Sequence, residues 1–130
     1  MNNSFEKVRD YLLELEYNIV EDNTADSVFV IEKEEEGIAN MMVACDDPIL
    51  IFEQFVFQIK ADSTDIFKRL LQMNREIIHG ALVLDETGTK VIFRDTLQLE
   101  NLDLNEISGS LNSLGIFLSE FGEELIDLSK

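Results

Sequence analysis

The stretch that decides the fold is IFKRLLQMNREIIHGALVLDETGTKVIFRDTLQLENLDL, residues 66–104. Phe67, Leu70, Leu71, Asn74, Ile77 and Ile78 recur at the three-and-four spacing of a helix with one buried face. His79-Gly80 is expected to stop that helix, because glycine takes the left-handed backbone of a C-terminal cap. Ala81–Asp85 and Lys90–Asp95 then read as strands joined by Glu86-Thr87-Gly88-Thr89, a hairpin connection with glycine where φ is positive. Thr96–Leu99 continues extended, and Asn101 or Asp103 caps a final helix.

Working outward, Ser4 to Tyr17 reads as a first helix burying Phe5, Val8, Leu12 and Leu15. Glu21–Asp26 reads as a connection, Val28–Lys33 as a strand, Glu34–Gly37 as a turn and Ile38–Cys45 as a second strand. Ile49–Lys60 is the long third strand. Its alternation puts Ile49, Ile51, Phe55, Phe57 and Ile59 on a core face broken by Glu53, and Leu50, Phe52 and Val56 on the opposite one. Asp62 or Ser63 is expected to cap the second helix, with Asp65 in its first turn, where the helix dipole favours an acid. In the last helix Leu104, Ile107, Leu111, Leu114, Leu118, Phe121, Leu125 and Leu128 form a heptad stripe. Flanking Ser108, Ser110, Gly115, Phe117, Gly122 and Glu124, in place of opposed charges, favour a core helix packed on the sheet over a coiled coil. The expected fold is α+β: one domain over residues 1–130, with three helices against an antiparallel twisted sheet of about five strands in the order α-β-β-β-α-β-β-α.

The net charge is −17, from 27 acids and 10 bases in 130 residues. A surface of that sign repels phosphate backbones and anionic lipid, so nucleic acid and membranes are not expected partners; it suits a solvated, soluble surface or a basic protein partner. The acids gather at the two ends of the chain, while the bases Lys60, Lys68, Arg69, Arg75, Lys90 and Arg94 leave the middle near neutral. The lone Cys45 builds no disulfide framework and sits in an apolar strand as a small hydrophobe. No apolar run is long enough to span a bilayer and no secretory signal pattern opens the chain, so a cytoplasmic protein is expected.

Candidate chemistry is thin, and no catalytic residue, cofactor or metal ligand is assigned. His79 is the only histidine and stands at a helix end. One histidine and one cysteine make no structural zinc site, and the acids of Asp46-Asp47 and Asp85-Glu86 lack the spacing of a calcium loop. No phosphate-cradling glycine loop is present. Asn74, on an apolar helical stripe, reads as a structural amide bonding to backbone near Gly80 or the next strand, with a ligand role as the alternative. Met41-Met42 place a flexible thioether on each face of a strand, suited to filling gaps or meeting a partner. Leu50, Phe52 and Val56 are the expected partner or dimer patch, unless a helix of the same chain covers them.

The run Leu70-Leu71-Gln72-Met73-Asn74 leading into Gly80–Asp85, Gly88, Val91-Ile92-Phe93-Arg94 and Leu97 resembles the YbjN-like proteins. These are bacterial proteins labelled sensory transduction regulators, related in fold to the Tir-type chaperones of type III secretion. The resemblance implies a small cytoplasmic homodimer with no enzymatic activity that binds a partner protein. Secretion chaperones of this fold hold an extended effector segment along apolar patches of sheet and helices. The alternative, from the charge, is an acidic mimic that occupies the basic nucleic-acid site of another protein.

Overall fold

The computed structural model describes residues 3–60 and 64–130. The helices are α1 (Asn3–Glu14), α2 (Thr64–Met73) and α3 (Leu104–Leu128). The strands are β1 (Asn18–Asn23), β2 (Val28–Lys33), β3 (Ile38–Asp46), β4 (Ile49–Gln58), β5 (Ala81–Leu84) and β6 (Lys90–Gln98). All six form one antiparallel sheet in the order β1-β2-β3-β4-β6-β5, with the helices on one face.

The α+β reading holds, with one strand more than expected. The connection assigned to Glu21–Asp26 is in part β1, whose mostly exposed residues carry no alternating apolar signal. It forms because Asn18–Asn23 pairs with the strong apolar strand β2, and because Arg9 of α1 clamps Asp22 from above at 2.8 Å. Asp103 is the cap of α3: its carboxylate accepts from the Glu106 N–H at 2.8 Å, and the Glu106 carboxylate accepts from the Asp103 N–H at 3.1 Å. The expected cap of α2, Asp62 or Ser63, lies outside the described residues.

Helix α2 stops a turn earlier than its apolar spacing suggested. It gives way at Met73 to a 3₁₀ turn, Asn74–Glu76, so Ile77, Ile78 and His79 are not helical. Gly80 serves a close approach. At φ +91°, an added Cβ would stand 2.7 Å from the Phe93 ring and 2.9 Å from the Arg94 carbonyl oxygen.

The core has two parts. Phe5, Val8 and Leu12 of α1, with Ile107, Leu111 and Leu114 of α3, cover Phe29, Ile31, Met41, Val43, Leu50, Phe52 and Phe93 of the sheet. Phe5 stacks on Phe29 at 4.2 Å between ring centres. Leu70 and Met73 of α2, with Phe117 and Leu125 of α3, cover Phe57, Ile59, Leu82 and Val91. The stripe on α3 thus faces this chain's own sheet.

Candidate functional site

The strand register sorts the sheet into two faces. A row of neighbours runs Asp22–Phe29–Val43–Phe52–Asp95 beneath the helices. The adjacent row, Glu21–Val30–Met42–Glu53–Arg94–Ala81, crosses all six strands on the uncovered face. Beside it lie Val28–Ala44–Ile51–Thr96 on one flank and Phe55–Ile92–Val83 on the other. The open face is therefore apolar along Val30, Met42, Ile51, Phe55 and Ile92, with the Glu53–Arg94 cross-strand ion pair in its middle. Phe55, 55% exposed, is its most prominent ring.

This assignment corrects the facing read from β4. Leu50 and Phe52 are fully buried under α1 and α3, as is Met41, so these three belong to the core and form no outward patch. Ile51 and Phe55, expected inside, face outward. The register of β4 against β6 slips between Phe55 and Phe57, inserting Val56 as an extra residue. A bulge of this kind reverses the alternation, so Phe57 and Ile59 return to the core. The signal was Glu53: a carboxylate sharing parity with Ile51 and Phe55 marks their face as the wet one. Of Leu50, Phe52 and Val56, the expected patch, and the Met41-Met42 pair, Met42 alone stands on the open face. Val56 is half-buried and touches both parts of the core.

A second apolar surface lies at the β5 edge. Phe67, Leu70, Leu71, Leu82 and Leu84 line a groove of about 310 Å³ between α2 and β5. Leu71 and nearby Ile78 are each 69% exposed. Asn74 sits in this groove and holds the Leu82 backbone with both ends of its amide. His79 is engaged through its backbone: its N–H donates to Ser113 Oγ at 3.0 Å, and Ser113 Oγ donates to its carbonyl at 2.8 Å. These bonds tie the end of the α2–β5 connection to α3.

Electrostatically the two ends differ. Arg69 of α2 forks onto Glu124 of α3, holding that carboxyl below its usual range. Asp85, accepting from the Lys90 and Thr89 N–H groups and the Thr87 hydroxyl, is likewise lowered. Around the 3₁₀ turn Glu34–Glu36 the surface is acidic, and Lys33 is drawn into it by Glu36 at 3.2 Å. Burial alone pushes the Cys45 thiol up to about 11, which suits packing and keeps the thiolate scarce. Among the described residues no group of three or more His, Cys, Asp or Glu could hold a metal ion, and no helix is long and apolar enough to cross a membrane.

A family model, CesT_Tir_1, matches residues 1–130. The chain belongs to the CesT_Tir_1 family of type III secretion chaperones. Solved structures of the same fold include YbjN from E. coli, at 12% identity, a TM-score of 0.71 and 92% of each chain covered. The chaperone–effector complex HopA1–SchA matches at 17% identity and a TM-score of 0.63, over 92% of this chain and 94% of that one. The Yersinia pestis type III secretion chaperone SycH, in complex with a fragment of YscM2, matches at 13% identity and a TM-score of 0.55, over 98% of this chain and all of that one. At such identities these solved structures share the fold with this chain, and their partners are their own. No curated protein matches the chain in sequence.

Proposed function

We propose that this chain is a non-enzymatic, chaperone-like protein-binding module of the cytoplasm, holding a segment of a partner protein on the open face of its sheet. The observation that carries this reading is the register: one sheet face is buried by three helices, and the other presents Val30, Met42, Ile51, Phe55 and Ile92 to solvent. An exposed apolar surface of that kind, bridged at its centre by the Glu53–Arg94 pair, supports an interface. SchA and SycH, which share the fold, were each solved bound to a second protein, which supports the same reading.

The module acts as a homodimer through the α2–β5 edge. Two copies carrying −17 each repel, and the stretch from Lys60 to Arg94, where six bases nearly balance the acids, is where they approach at least cost. Leu71 and Ile78 are exposed there, and contact between copies removes them from water.

Affinity capture from native lysate, washed at low and then high salt, tests the reading with the wild type and Phe55→Asp. The partner is expected to survive the high-salt wash on the wild type and to be lost from Phe55→Asp while the dimer persists. Release of every captured protein at high salt would instead support the acidic mimic, since exposed charges are screened beyond about 8 Å at physiological ionic strength and beyond about 3 Å at 1 M salt.

A further inference from the structure

The helix-covered side of the molecule holds a cavity that belongs to neither the open face nor the α2–β5 groove. It measures about 310 Å³ and is lined by His79, Leu97, Asp103, Glu106, Gly109 and Ser110. The first turns of α3 meet the end of β6 and the α2–β5 connection there. Glycine at 109 shapes it. An added Cβ would stand 3.6 Å from Cδ2 and Nε2 of His79, so the imidazole lies against the α3 backbone. The paired bonds between the His79 backbone and Ser113 Oγ hold it in that place.

Two polar side chains here lack partners. Ser110 is 2% exposed and lines the cavity, yet its hydroxyl makes no hydrogen bond among the described residues. A helical serine can return its hydroxyl to a carbonyl one turn back, as Ser119 does to Ile116 at 2.8 Å. Ser110 does not. Asp95 precedes Leu97 by two residues on the same helix-covered face of β6, and its buried Oδ2 is also unpaired among the described residues. Buried polar groups are nearly always hydrogen-bonded, so an unpaired one at a cavity points to a bound group.

The charge at the cavity has one sign. Asp103 and Glu106 each give one oxygen, Oδ1 and Oε1, to the capping box, which leaves the second oxygen of each carboxylate available. No lysine or arginine lines the site.

The structure assigns this cavity to a small primary amine with an apolar stem. Its ammonium carries three donors and no acceptor. It donates to the Ser110 hydroxyl and to the Glu106 carboxylate, which are one helical turn apart, while Asp103 adds negative potential. Hydrogen bonds from a cation to a carboxylate are roughly twice as strong as neutral ones. The stem lies against Leu97 and the His79 ring. A neutral molecule of the same shape leaves the carboxylates unpaired, and an anion is repelled. The site stands whether or not the open face receives a partner.

The probes are pentylamine and its isosteres pentan-1-ol and pentanoate, titrated into the full chain and followed by amide chemical shifts. Pentylamine is expected to give saturable shifts centred on His79, Leu97 and Ser110, with a Kd of about 1 mM or below. The alcohol and the acid are expected to bind at least about ten-fold more weakly. Two variants spare the fold. Ser110→Ala removes only the unpaired hydroxyl. Asp103→Asn with Glu106→Gln discharges both carboxylates while keeping an N-cap and a capping box. Each is expected to weaken pentylamine by about ten-fold or more, with little change in melting temperature. Equal binding of the three probes, or unchanged affinity in either variant, would overturn the site. Shifts that never saturate and spread to Glu34–Glu36 would also overturn it, since they report general attraction to an acidic surface.

Discussion

Asn74 treats Leu82 as a neighbouring strand would: its Oδ1 accepts from the Leu82 N–H at 2.7 Å and its Nδ2 donates to the Leu82 carbonyl at 3.3 Å. Leu82 lies on β5, at the edge of the sheet, so the amide occupies the place where another chain would add a strand. Such blunting of a free edge opposes uncontrolled pairing. Asn74→Leu removes both bonds and strands a donor and an acceptor beside apolar side chains. A loss of about 2–3 kcal/mol in chemical denaturation is expected, together with a greater tendency to aggregate. An unchanged midpoint would show that water replaces the amide without cost.

The correction at β4 separates two phenylalanines. Phe52→Asp places a carboxylate among Val43, Phe93 and Leu114 in the main core and is expected to unfold the protein, at a cost of about 4 kcal/mol or more. Phe55→Asp, on the open face, is expected to change stability by less than about 1 kcal/mol. Circular dichroism melts of the two variants check this, and equal destabilisation would contradict the facing of the sheet.

Gly115 and Gly122 of α3 are expected to respond oppositely to alanine. A Cβ at Gly115 would stand 2.7 Å from the Glu36 carbonyl oxygen, so Gly115→Ala pushes the helix off the turn that starts β3, and a loss of about 1–3 kcal/mol is expected. Gly122→Ala meets open space and is expected to gain about 0.5–1 kcal/mol from helix propensity. Thermal melts decide both signs.

High pH should expose two buried protons. Burial raises the Tyr17 hydroxyl, which donates to Glu36 at 3.2 Å, and raises the Cys45 thiol to about 11. In the unfolded chain these groups ionise near their ordinary values, about 10 and 8.5. Above those values the unfolded state holds fewer protons than the folded one, so stability falls as pH rises. Both contributions are fully present below about pH 8 and diminish as pH climbs toward the raised folded values. Denaturation midpoints between about pH 8 and pH 11 are expected to decline, and Cys45→Ala with Tyr17→Phe to flatten the slope. A slope unaffected by both substitutions would place the cause elsewhere. Iodoacetamide should alkylate native Cys45 far more slowly than the denatured chain.

The chain announces its fold through Ile66–Leu104 and through the apolar stripes of α1 and α3, where periodicity and capping agree with the packing. It hides what depends on a neighbour. Strand β1 reads as polar loop because β2 and Arg9 hold it in place, and its own residues bury little. The end of α2 reads one turn too long because Ile77 and Ile78 keep the helical spacing after Asn74 has turned to Leu82. The facing of β4 inverts at Val56, since a single inserted residue exchanges inner and outer side chains and leaves no mark in composition. The candidate surface was thus legible as a long apolar strand, though not in which half of its residues is free.

The central claim, that the open sheet face receives a partner protein, is tested most directly by photocrosslinking in cells. Benzoylphenylalanine in place of Phe55 on the open face is compared with the same group in place of Leu13, which is 54% exposed on α1. The account predicts a discrete heavier adduct from position 55 and none from position 13. An adduct from position 13 alone, or none from position 55 where the dimer is intact, would contradict it.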